Sequence, residues 1–164
     1  MDLVQNVLLA MIDYDAGDAR RTQHFLKVYQ FAGLIGRLEG LDANTQEIVE
    51  IAALVHDIGI RRSEEKYHSS AGTYQELEGP PEAEALLRRV GCPAALAGRV
   101  CWLVGHHHTY ASISEPDHQI LVEADFLVNA YEDGLDVSAI EQVRDRVFKT
   151  ESGKKLLQTL YLSK

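Results

Sequence analysis

Ile48-Val49-Glu50-Ile51-Ala52-Ala53-Leu54-Val55-His56-Asp57-Ile58-Gly59-Ile60 is an apolar run that ends in a histidine and a carboxylate. Its composition predicts a buried helix, capped by Asp42 or Asn44, with Gly59 as its stop. An imidazole and a carboxylate at the end of a buried helix are costly to desolvate, and a cation held between them removes much of that cost. Distant residues can complete the shell of such a cation: His24 upstream, Asp125 downstream and the run His106-His107-His108 between them.

Outward from this run nearly every segment reads as helix. Leu3, Val4, Val7, Leu8, Met11 and Ile12 give residues 2–14 one apolar face. Asp18 caps a second helix that runs to about Glu39, with Phe25, Val28, Phe31, Ala32 and Ile35 facing inward and Gly40 ending it. Residues 61–81 are polar and read as an irregular loop with a short helical stretch before Pro80-Pro81. Further helices are expected from about Pro81 to Val90, over 94–107, from Asp117 to Tyr131, and near 136–149 and 151–162. Residues 109–117 read as a loop. Strand-period alternation is absent, so the expectation is all-α: one compact helical bundle of about six to eight helices, a single domain spanning 1–164.

Composition narrows the function. A chain of 164 residues, 46% hydrophobic and 25% charged, suffices for one proper core. Its net charge of -9 argues against a broad nucleic-acid surface or an anionic membrane surface. An anionic substrate remains compatible, because bound divalent ions and a few arginines reverse the potential locally. No apolar run approaches the roughly 18 residues of a membrane span, and the start lacks a basic secretory n-region. Cys92 and Cys101 match no metal or disulfide spacing and read as buried thiols in a reducing cytoplasm.

His24 lies mid-helix on the stripe of Val28, Phe31 and Ile35, so it faces inward. Asp125 sits inside Ile120-Leu121-Val122-Glu123-Ala124-Asp125-Phe126-Leu127-Val128, where an unpaired carboxylate is expensive and metal ligation explains it. The bland alternatives are a core histidine on a backbone carbonyl and a carboxylate paired with an arginine. Two imidazoles and two carboxylates suit Fe, Mn, Zn or Ni better than Ca or Mg alone.

His24, His56-Asp57 and Asp125, in that order and on helices, resemble the H…HD…D signature of HD-domain proteins, many of them metal-dependent phosphohydrolases. The resemblance covers about Arg20 to Glu132. It extends to Ala52-Ala53-Leu54-Val55 before the pair, the glycine after it, Gly105-His106-His107-His108 and Glu123-Ala124-Asp125. It implies one ion held by His24, His56, Asp57 and Asp125, with Asp57 able to bridge to a second. Some relatives use extra histidines for a second ion, Mg among the options. Here His68, His106, His107 and His108 are candidates, with Glu78 near the place where relatives often carry a histidine.

The activity implied is hydrolysis of a small phosphorylated metabolite, a nucleotide foremost, by metal-activated water. Asp57, His106 and His107 are the catalytic candidates. Glu78 is a further candidate acid for the leaving group. Arg20 and Lys27 flank His24, and Arg61 and Lys66 follow the HD pair (Arg62 with them); all could contact phosphate. Alternative activities are a di-iron oxygenase of HD type and a non-enzymatic module sensing a nucleotide or metabolite. His118 reads as a surface residue and Asn129 as a residue lining the pocket or bonding backbone. The stripe Leu156, Leu157, Leu160 and Tyr161 reads as core, with a homodimer seam as the alternative.

Overall fold

The computed structural model describes residues 1–163, which form nine α-helices and one π-helical turn without a strand among the described residues. The chain opens with α1 (Leu3–Tyr14), α2 (Ala19–Leu38) and α3 (Ala43–Val55). Each starts on an aspartate whose side chain accepts a backbone N–H of the first turn: Asp2 from Gln5, Asp18 from Arg21, Asp42 from Asn44 and Thr45. Asp42, not Asn44, is therefore the cap of α3. Ile48, Val49 and every residue from Ile51 to Val55 are buried. This explains the near-continuous apolar run, since α3 packs on α1 and α2 and on two later helices, α6 (Ala94–Val104) and α7 (Pro116–Glu132).

Gly59 does not stop a helix. The chain turns tightly at His56-Asp57-Ile58, with Ile58 N–H donating to the Val55 carbonyl and Ile60 N–H to that of Asp57, and α4 (Gly59–Tyr67) follows at once. The polarity of 61–67, expected to mark a loop, is the solvent face of this helix: Arg61, Arg62, Glu64, Glu65 and Lys66 are exposed while Gly59 and Ser63 are buried. Helix α5 (Gly72–Arg89) likewise runs straight through Pro80-Pro81, where a new helix was expected to begin. Packing explains both differences. A Cβ at Gly59 would stand 2.7 Å from the Gln75 carbonyl oxygen and the Gly79 nitrogen, and one at Gly79 would stand 2.6 Å from Val104 Cγ1. The two glycines let α4, α5 and α6 approach closely, and that contact outweighs the lost proline N–H groups.

The remaining elements are α8 (Val137–Arg146), α9 (Glu151–Leu157) and the π-helical turn Gln158–Leu162. They return to α7. The Tyr161 hydroxyl donates to the Leu127 carbonyl. Buried Glu123 accepts hydrogen bonds from the Lys149 and Thr150 N–H groups, the Thr150 hydroxyl and the Gln119 amide. Leu157 is buried, with Leu156 and Tyr161 packed beside it, so most of the C-terminal stripe belongs to the core; Leu160 is exposed. Among the described residues no helix is long and apolar enough to cross a membrane.

Candidate metal centre

Two helices and a turn deliver the inner cluster. His24 comes from the second turn of α2, His56 and Asp57 from the turn after α3, and Asp125 from the middle of α7. His24 Nε2 lies 3.2 Å from Asp57 Oδ2, 3.2 Å from Asp125 Oδ1 and 3.2 Å from His56 Nε2. His56 Nε2 is 3.4 Å from the same two oxygens. Ligands about 2.0–2.1 Å from a tetrahedral ion stand about 3.4 Å apart, so these separations are those of one coordination shell.

The outer nitrogens determine what the inner ones can do. His56 Nδ1 lies 2.7 Å from the Ala53 carbonyl, which only accepts, so Nδ1 carries the hydrogen. His24 Nδ1 donates to Glu132 Oε2 at 3.0 Å. In the neutral rings both Nε2 atoms are then bare lone pairs facing each other and two carboxylates, an arrangement that requires a cation at its centre. Without a metal, protons supply the charge. Burial disfavours protonated His24, but Asp125 and Asp57 outweigh it and carry its pKa up to about 9. Burial opposes the charged form of His56 too, and the same carboxylates hold its pKa well above the ordinary value. Burial would raise Asp57 and Asp125, yet His56 and its neighbours hold both well below the usual carboxylate range. Asn129, one turn along α7, donates its amide to Asp125 Oδ1 at 2.9 Å.

A second cluster shares Asp57. His107, His108 and Asp57 each bring a donor atom within 4.8 Å of the others. His107 Nδ1 donates to the Val104 carbonyl at 2.8 Å. This leaves a buried Nε2 that has no hydrogen-bond partner among the described residues and lies 3.4 Å from Asp57 Oδ1. An orphaned buried lone pair aimed at a carboxylate is what an ion between them would satisfy. His108 Nε2 lies 3.0 Å from the Gln75 side-chain oxygen. Burial, then His107, push the pKa of His108 down to about 4, so its ring is neutral at pH 7. The donor set therefore fits one divalent ion on His24, His56, Asp57 and Asp125 and a second on Asp57, His107 and His108.

Other sequence expectations do not reach this centre. Helix α6 ends at Val104, and 105–108 form a turn whose residues point in different directions. His106 turns away, its ring stacked on Trp102 at 3.9 Å and its Nδ1 on the Trp102 carbonyl, so it is no ligand or catalytic group in this geometry. His68 is exposed in a left-handed conformation at the end of α4. Glu78 is taken by Lys66 and Tyr67, which hold its carboxyl below its ordinary pKa, and it does not line the cavity over the cluster; it is unsuited to be ligand or proton donor. His118 is buried, not superficial: its Nε2 donates to the His106 carbonyl and its ring packs edge-on to Trp102. It braces the turn that aims His107 inward.

The cluster floors a cavity of about 470 Å³. Arg20 lines it and makes no ion pair among the described residues. Lys27, Arg61 and Lys66 do not line it. Lys27 pairs with Glu132 at 2.6 Å, Arg61 donates to the Tyr14 carbonyl at 2.8 Å, and Lys66 pairs with Glu78. Sequence reasoning missed Glu132, which orients His24, and Arg21, which lines the wall and pairs with Asp18 and Glu64. The one-turn relations of Arg21 to His24 and of Glu132 to Asn129 were the available signals. Carboxylates outnumber the two guanidiniums on these walls, so an anion enters favourably only with metal charge present.

With this geometry in place the relationships are clear. The model of the HD-domain family matches residues 21–141, and the chain belongs to that family. The crystal structure of a predicted HD superfamily hydrolase from an uncultured Thermotogales bacterium is similar, with a TM-score of 0.62 and 26% identity over 96% of this chain and 82% of that one. No curated protein matches.

Proposed function

We propose that the protein is a metal-dependent phosphohydrolase of a small phosphorylated metabolite, a nucleotide foremost. The observation that carries this is the set of four donors, spaced 3.2–3.4 Å with bare nitrogens inward, beneath a cavity that Arg20 also lines. His24, His56, Asp57 and Asp125 would hold a transition ion such as Fe, Mn, Zn or Ni, and Asp57, His107 and His108 a second ion, Mg included. A bound ion supplies an activated water and a Lewis acid for a phosphoryl oxygen. The protein groups do the rest. Glu132 and the Ala53 carbonyl fix the two imidazoles, and Asn129 orients Asp125. Arg20, exposed at the cavity wall, meets the phosphoryl oxygens as a cation.

The test is to replace Asp57 or Asp125 by Ala and to assay the metal-loaded proteins on a panel of phosphomonoesters and nucleotides, with elemental analysis alongside. We expect loss of metal and of turnover; equal turnover in mutant and wild type overturns the proposal. The sharing of Asp57 between two clusters favours a second reading, a di-iron oxygenase. Iron-dependent oxygen uptake by freshly purified protein decides between them.

A further inference from the structure

A second cavity of about 470 Å³ lies between α7 and α8, within the range of small-molecule pockets. Val122, Phe126, Ala139 and Val143 form apolar walls, and Tyr110 and Gln142 stand among them. Two residues, Asp125 and Asn129, line both this cavity and the one over the metal cluster. The two cavities are therefore neighbours along α7, and a ligand with its polar end on the Asp125 side has the α8 cavity beside it. The mechanism uses nothing on this far side.

From this adjacency we infer that the α7–α8 cavity seats the organic body of the leaving group, and that this body is a planar aromatic heterocycle. The inference rests on the phosphohydrolase reading for its polar end only. The walls decide the chemistry of the occupant. Phe126 and Tyr110 offer rings for a flat partner to pack against, and the aliphatic side chains of Val122 and Val143 offer contact without polar demand. Gln142 supplies one amide donor pair and one acceptor, the complement of a heterocycle edge. Asn129 donates one N–H to Asp125, leaving its second N–H and its side-chain carbonyl oxygen for a ligand. A plain alkyl chain would strip water from these amides and return nothing, which disfavours it. A bare sugar phosphate would leave the apolar walls wet.

The experiment compares a nucleoside 5′-monophosphate with ribose 5-phosphate. Both lose the same primary alcohol, so the chemical step is alike and only the ring differs. Wild-type protein should show a kcat/KM higher by about 10-fold or more for the nucleotide, carried by KM, because the ring leaves water. The unphosphorylated nucleosides adenosine, guanosine, cytidine and uridine are titrated by calorimetry, and at least one should bind. Ala139→Leu and Ala139→Trp fill the cavity in two steps, and should reduce both the preference and the nucleoside binding in that order. Elemental analysis and circular dichroism report whether each variant keeps its metal and its helical fold; if Ala139→Trp loses either, the comparison is read from Ala139→Leu. Equal kcat/KM for the two esters, no nucleoside binding and no effect of either variant overturn the subsite while leaving the hydrolase reading intact. No turnover of either ester, with a nucleoside bound and displaced by the Ala139 variants, overturns the hydrolase reading and keeps the subsite.

Discussion

His24 illustrates how one side chain is specified at both of its nitrogens. Nε2 faces the shared centre while Nδ1 is held by Glu132, itself held by Lys27. Glu132→Gln keeps the shape but removes the charge that makes His24 a good donor, and should weaken metal affinity by about 10–100-fold as measured by competition with a chelator. Unchanged affinity would show that Glu132 does not act through His24. The pH dependence has a definite sign. The folded pKa of His24, about 9, lies above its ordinary 6.5, so in metal-free protein its contribution to stability is complete below pH 6.5 and is lost as pH rises through 9. Melting temperatures of chelator-treated protein should therefore fall between about pH 7 and about pH 9.5. Metal-loaded protein should lose this alkaline decline, because the ion replaces the proton, and proton release on metal addition in weak buffer should accompany it. A flat profile for the chelator-treated protein contradicts the assignment.

At the scale of the elements, the crossing of α4, α5 and α6 fixes where the HD turn ends. Gly79→Ala places a methyl 2.6 Å from Val104 Cγ1 and should cost about 1–3 kcal/mol, read as a lower melting temperature. Gly59→Ala meets backbone atoms, which cannot rotate away, and should cost more. Gly98, inside α6 with nothing within 4 Å of an added Cβ, gives the opposite sign. Gly98→Ala should stabilise by about 0.5–1 kcal/mol through helix propensity alone. Equal shifts at all three positions would refute the packing explanation. The same crossing explains why α4 was hard to read: Arg61 to Lys66 carry the polarity of a loop, and the small buried residues Gly59 and Ser63 carry no hydrophobic signal. Proline at 80 and 81 signals a helix start locally, and only the neighbouring helices override it.

For the whole molecule, the donors come from α2, the α3–α4 turn, the turn after α6, and α7, elements that converge only in the folded chain. A metal that binds the native state alone should stabilise it by about 2.7 kcal/mol at about 100 times its Kd, so chelator should lower the melting temperature and added ion restore it. A melting temperature indifferent to chelator and metal would show that no ion binds there. What the sequence determined by itself was the all-α class, the aspartate cap at Asp18, the buried α3 and the inward placement of His24, His56 and Asp125. These follow from periodicity and desolvation cost, which act within one segment. The tertiary structure alone decided that His107 and His108 turn toward Asp57 while His106 stacks on Trp102, that Lys27 serves Glu132 rather than a phosphate, and that Asp125 and Asn129 line two cavities. Side-chain direction in a turn, and the partner of a charge, depend on segments far away in the chain, and no local pattern encodes them.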